Sequence, residues 1–273
     1  MKSAFLFAGF SAISAESIDL DTAIENLRVL NDWVETSLYE QEMVGTKIGD
    51  RMEKWQGDLQ EAFRAGASRS DLGKLLFSGR KLRLDLMIDQ ETASKYALED
   101  LEETGCYGHP LQKGETGYAG KGQPADLIDE LSKSLLFCYK CAAKDHGSTC
   151  NGRGNYNSSF NKKKGSVCQD RRDTCGHTIC QCDLQFAQAF GKMSISFDES
   201  FSTKNGFDRE ARCIPKAPKD SSLEGRSGSS GNKAQKSAAA VTECCGFGLG
   251  RTIFKVDKQV CCNGDTVKPI GSC

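Results

Sequence analysis

Apolar residues recur at helical spacing through the first third of this chain. Ile24, Leu27, Leu30, Val34 and Leu38 fall on one face of a helix, with Asp19 or Asp21 placed to cap its start. Val44, Ile48, Met52, Trp55, Leu59 and Phe63 then follow at steps of three or four and predict a second helix, its start weakened by Gly45 and Gly49. A third helix is expected from near Asp71, and Ala93 to Glu103 returns to a helical pattern. Between them Leu82, Leu84, Leu86 and Ile88 alternate, so a short strand competes with helix there. Two apolar stripes need cover. A helical hairpin closed within the chain, packing on the rest of the protein, and a seam for pairing with another chain all satisfy that need.

The extreme N-terminus has a different pattern. Met1-Lys2, an apolar run from Ala4 to Phe10 and small residues from Ser11 to Ala15 read as a secretory signal over residues 1–15, with cleavage after Ser14 or Ala15; an apolar N-terminal strand is the competing reading. No other apolar run approaches the roughly 18 residues that a membrane span needs. The chain has 14 cysteines, all from Cys106 onward, which fits an oxidising compartment and a disulfide framework. Zinc is disfavoured, because only 3 histidines are present and Cys138-x2-Cys141 has no second pair at finger spacing. A net charge of -1 predicts no strong field for nucleic acid or membranes.

Composition divides the remainder. Residues 16–104 contain no Cys and no Pro and form the predicted helical segment. Residues 105–213 carry the first cysteines. Residues 214–241, rich in Ser, Gly, Lys and Ala, read as a flexible linker that gives the tail reach. Residues 242–273 hold Cys244, Cys245, Cys261, Cys262 and Cys273, and so short a module needs disulfides to hold it. The fold class is therefore mainly α and disulfide-rich.

The middle region resembles secreted phospholipase A2. That family's active-site helix reads D-x-C-C-x-x-H-D-x-C-Y, and Asp129, Cys138 and Tyr139 stand at matching positions. Gly117 to Asp126 is similar to the calcium-loop exit, with Ala119 replacing a glycine. Cys168-x6-Cys175-x4-Cys180-x-Cys182-Asp183 reproduces the opening of the family's second long helix and is the most specific block. The resemblance implies two long antiparallel helices, about 126–143 and 173–190. It implies bridges Cys138–Cys182, Cys150–Cys175, Cys168–Cys180 and Cys106–Cys213, with Cys141 left without a family partner and available to tie the tail to the core. The family's two further bridges are missing at both ends: Leu131 and Ser132 replace their cysteines in the first helix, opposite Ala189 and a loop position at Gly108 or Thr116.

The resemblance also locates what is lost. Leu135 and Leu136 stand where the family has its general-base histidine and its calcium-binding aspartate. A leucine abstracts no proton and offers no oxygen to a metal. The expected cofactor is accordingly none, with the calcium site lost. His109, His146 and His177 read as surface or loop residues rather than displaced bases. Asp183 and Tyr139 match the family's orienting aspartate and its tyrosine partner, and are expected to form a vestigial structural hydrogen bond. Leu127, Leu131, Leu135 and Cys138 make an apolar stripe, so the former site is expected to be packed core or an apolar slot.

Asn157-Ser158-Ser159 is a glycosylation sequon. Lys162–Lys164 and Arg171-Arg172 are basic clusters that read as solvated turns. The terminal Cys-Cys pattern resembles short modules of invertebrate extracellular proteins. The leading expectation is a secreted, non-catalytic, matrix-type component that acts through extracellular protein partners or self-association, as otoconins do within the resembled family. A residual phospholipid hydrolase or lipid binder, and a toxin-like or inhibitory homologue, are the competing readings. No nucleic-acid partner and no transmembrane segment are expected.

Overall fold

The computed structural model describes residues 20–40, 42–109, 111, 120–152, 155–161, 165–214 and 241–273. The predicted signal peptide, Gly117 to Ala119, Lys162–Lys164 and most of the linker lie outside the described residues.

The N-terminal pattern folds as α1 (Leu20–Glu35), a π-helical turn Thr36–Glu40, α2 (Lys47–Arg64) and α3 (Arg69–Glu91). Thr46 caps α2 by accepting from Gly49 N, and Ser68 caps α3 by accepting from Asp71 N. The stripe of α1 is buried at Leu27, Leu30 and Val34, and that of α2 at Ile48, Met52, Trp55 and Leu59; its outer members Val44 and Phe63 are exposed. Both stripes close on α3 within the chain, so neither is left as a seam for a second molecule. Trp55 fixes the contact. Its indole N–H donates to the Leu75 carbonyl at 3.0 Å, and its ring lies so near Gly79 that a Cβ there would meet it at 2.8 Å.

The alternating leucines are helical. Residues two apart on a helix are about 200° apart around its axis, so the pattern paints two opposite faces. Leu82 and Leu86 face the α1–α2 layer, while Leu84, Met87 and Ile88 face the disulfide-bonded core. A helix covered on both sides loses its amphipathic signature, which is why a strand competes in the sequence. After it only Leu98–Glu102 (α4) is helical, less than the pattern from Ala93 to Glu103 suggests; Ala93 and Ser94 have positive φ and break the helix first.

The core itself is α5 (Leu127–His146) against α6 (Cys175–Met193), with a hairpin of β1 (Ser158–Asn161) and β2 (Gly165–Cys168) beside them and a short α7 (Arg209–Arg212). Because α3 packs on α6 as well as on α1 and α2, the compositional break after residue 104 is not a break in packing. The tail forms two antiparallel hairpins, β3 (Thr242–Cys245) with β4 (Thr252–Lys255) and β5 (Gln259–Cys262) with β6 (Thr266–Pro269). Cys245–Cys261 and Cys262–Cys273 staple it internally. The tail does not have the reach expected of it. Cys141–Cys244 bonds it to α5, Arg251 pairs with Asp145 at 2.6 Å, and Leu249 N donates to Gln185 at 2.9 Å. No free cysteine remains, and among the described residues no helix is long and apolar enough to cross a membrane.

Candidate functional site

Two capped helices position the site. Asp126 caps α5 by accepting from Asp129 N at 2.7 Å, and Thr174 caps α6 by accepting from His177 N at 3.3 Å. Cys138 and Cys182 bond across them with Cα atoms 5.9 Å apart. Cys150–Cys175, Cys168–Cys180 and Cys106–Cys213 are also bonded. The helices run antiparallel, since Cys138 meets Cys182 while His146 further along α5 meets Thr178, nearer the start of α6.

This clamp holds Tyr139 and Asp183 together at the buried interface. The Tyr139 hydroxyl donates to Asp183 Oδ1 at 2.5 Å, and the Tyr156 hydroxyl donates to Oδ2 at 2.7 Å. A third group completes the cluster. Arg80 of α3 reaches Asp183 Oδ2 at 2.5 Å and also approaches both tyrosine oxygens, at 3.3 and 3.4 Å. Its guanidinium lies 4.4 Å from the centre of the Tyr156 ring. Burial is the largest single influence and works against the Arg80 cation, but Asp183, Tyr156 and Tyr139 together outweigh it and the pKa is raised, so Arg80 is held charged. Burial, and then Asp183, push both phenols well above their ordinary value. They are permanent donors, one to each oxygen of Asp183.

Arg80 and Tyr156 were not legible as site residues from spacing alone. One signal for Arg80 is present: it occupies the stripe Arg80, Leu84, Met87 and Ile88 that enters the core, and a charge at a core position needs a buried partner.

Around this cluster the site is filled. Leu135, Phe186 and Phe190 are fully buried, so the region is packed core. Leu136 packs on the cluster of Cys106, Tyr107 and Cys213. The stripe expected on α5 is partly displaced: Leu127 is 65% exposed and Leu131 only half-buried, while Ile128, Ser132, Leu135, Tyr139 and Ala142 form the buried face. Asp129 commits both oxygens to backbone amides, accepting from Cys106, Tyr107 and Ala125 at 2.6–2.8 Å. Among the described residues no group of three or more His, Cys, Asp or Glu is arranged to hold a metal. Asn157 lies exposed just before β1, where its side-chain amide donates to Asp170 at 3.1 Å.

His109 departs from the sequence reading. It is not a surface residue but is fully buried, its ring 5.8 Å from that of Phe186. Nδ1 accepts from Leu111 N at 3.0 Å, and Nε2 is sealed without a partner. Sealed in this way it cannot reach a water to activate. Burial, and then the Lys81 and Arg80 cations, hold its pKa well below the ordinary value of 6.5. His146 and His177 lie at helix ends, bonded to Thr178 and the Asp170 carbonyl.

The depressed His109 pKa has a signed consequence. Below about pH 6.5 the unfolded chain binds a proton at this residue that the folded chain refuses, so stability falls as pH falls by up to about 1.4 kcal/mol per unit. The loss sets in as pH falls through the ordinary imidazole value. Urea midpoints compared at pH 7.5 and 5.0 should fall more for the native chain than for His109→Gln; parallel pH dependences would refute it.

Comparison with known proteins places this geometry. Residues 81–202 match the family model described as Phospholipase A2, so the match begins inside α3, one residue after Arg80. A phospholipase A2 of Calliactis polypus is 31% identical over 111 residues, covering 41% of this chain and 61% of its own length. A basic phospholipase A2 beta-bungarotoxin A-AL4 chain of Bungarus multicinctus is 33% identical over 87 residues, covering 32% of this chain and 56% of its own. A basic phospholipase A2 of Micrurus corallinus is 33% identical over 95 residues, covering 34% of this chain and 58% of its own. The chain thus spans 56–61% of the length of these curated relatives.

Proposed function

We propose, from the premise that this chain belongs to the secreted phospholipase A2-like family, that it is a non-catalytic member working as an extracellular structural or interaction component. One observation carries this reading: Arg80, Tyr139 and Tyr156 together occupy both carboxylate oxygens of Asp183. Under the family alignment Asp183 would orient the catalytic imidazole. Here it has an arginine instead, and Leu135 at the aligned base position is buried in apolar contacts. The aligned calcium carboxylate is Leu136, packed beside the Cys106–Cys213 bridge. General-base hydrolysis needs a titratable group within reach of a water, and these positions supply none.

The additions to the chain support the second half of the reading. The α1–α2 layer and the bonded tail both extend the surface without adding a catalytic group. They also leave large apolar residues exposed, including Tyr39 and Phe247 at 70% and 83%. Purified full chain is expected to release no fatty acid from phospholipid vesicles with calcium above the buffer blank. Calcium-dependent cleavage of the sn-2 ester that is lost on a single substitution between α5 and α6 would overturn the non-catalytic reading. Sedimentation and capture from native extracellular material test the interaction role. A monodisperse monomer that captures no partner there would end it.

A further inference from the structure

Two arginines lie one turn apart on α3, each 1% exposed, and only one of them has a counter-charge in contact. Arg80 meets Asp183. Arg83 touches no carboxylate among the described residues: its one hydrogen bond goes to the neutral Asn155 Oδ1 at 2.8 Å, and its Nε has no partner. Trp33 and Tyr156 present ring faces to it at 5.2 and 5.3 Å. Burial, with a smaller repulsion from Arg80, lowers its pKa to about 10 against the opposing pull of Tyr156 and, less, of Asp170, so it remains a cation at neutral pH. Buried polar groups are almost always satisfied, and a buried charge without a partner costs several kcal/mol.

Arg83 lines a cavity of about 270 Å³ between α1, the π-helical turn, α3 and β1. Ser37 lines it too, with a buried hydroxyl that likewise has no partner. Ser159 and Gln169 add neutral polar walls; Asp32 and Thr36 are exposed at the mouth.

We propose that this cavity is a binding site for one small oxyanion, a phosphate or sulfate monoester group, with Arg83 as its counter-ion and Ser37 as a hydrogen-bond donor. A planar guanidinium fork matches two oxygens of such a group, and a charge-assisted hydrogen bond is a strong one. The volume suits a single group with a short attachment. Asp32 at the mouth sets an upper limit on ligand charge, because a polyanion would meet it. The site shares Tyr156 with the Asp183 cluster but uses a different arginine, and it stands whether or not the domain hydrolyses lipid.

The test is thermal melting and calorimetry of the full chain, treated with endoglycosidase because the sequon residue Asn157 also lines the cavity. Inorganic phosphate and sulfate are titrated against chloride at equal ionic strength. Glycerol 3-phosphate and N-acetylglucosamine 6-sulfate then separate a phosphate source from a sulfated-sugar source. A saturable rise in melting temperature with phosphate or sulfate is expected. Arg83→Met should weaken binding at least about tenfold, which is the loss of one charged hydrogen bond, and should melt no lower than the native chain when no anion is present. Thr36→Glu, at the exposed mouth, should also weaken binding several-fold and keeps the test open if the core variant does not fold. No saturable effect beyond chloride, or equal binding by Thr36→Glu and by a folded Arg83→Met, overturns the proposal.

Discussion

Replacing Arg80 by methionine is expected to destabilise the fold by about 3–5 kcal/mol, the usual consequence of removing one partner of a buried ion pair. For a chain of this size that corresponds to a fall in melting temperature on the order of 10 °C. The cause is what remains behind. Asp183 would be left at 0% exposure with two phenols as its only partners, in a region sealed by Leu135 and Phe186. The intact pair need not add net stability, because desolvating both charges offsets most of their attraction. The informative comparison is therefore Arg80→Met with Arg80→Met/Asp183→Asn. The asparagine amide keeps an acceptor for a tyrosine hydroxyl but carries no charge, so the double variant should recover a large part of the loss. An Arg80→Met chain within about 1 kcal/mol of the native one, or a double variant whose losses simply add, would rule out Arg80 as the counter-charge that seals this cluster.

Restoring the family's reactive residues with Leu135→His and Leu136→Asp is expected to yield no calcium-dependent hydrolysis and to cost about 2–4 kcal/mol. The imidazole would enter a fully apolar position and find Asp183 already bonded to Arg80 and two hydroxyls. The new carboxylate would sit against Leu136's neighbours, Tyr107 and the Cys106–Cys213 bridge. Neither group would have the partners that its role requires. Adding Arg80→Met to the pair frees Asp183 and should recover stability relative to the sum of the separate losses, since the released carboxylate can then accept from the new histidine. Vesicle hydrolysis by the Leu135→His/Leu136→Asp chain at more than a trace above the native chain would refute the claim that the site is closed by packing.

Local order in the amino-acid sequence reached the helices and the class of fold. Steps of three and four place Leu27, Leu30, Val34, Ile48, Met52 and Trp55 on buried faces because helix geometry alone links those positions. The concentration of cysteines past Cys106 likewise reads as a disulfide-held, mainly helical protein, and seven bonds close it. Where the pattern misled, a distant element intervened. Leu82 to Ile88 alternate because α3 is covered on one side by α1 and α2 and on the other by α6. The linker predicted a tail with reach while the unpartnered Cys141 offered a tie to the core, and Cys141–Cys244 with Arg251–Asp145 fixes the tail to α5. Periodicity carries no information about which residue a buried charge will meet. Arg80 with Asp183, Arg83 without a carboxylate in contact, and His109 against Phe186 are each decided by segments far apart in the chain arriving at one place. Hydrophobic patterning follows from the spacing of neighbours along the backbone, whereas the partner of a desolvated charge follows from three-dimensional packing, and only the tertiary structure sets that.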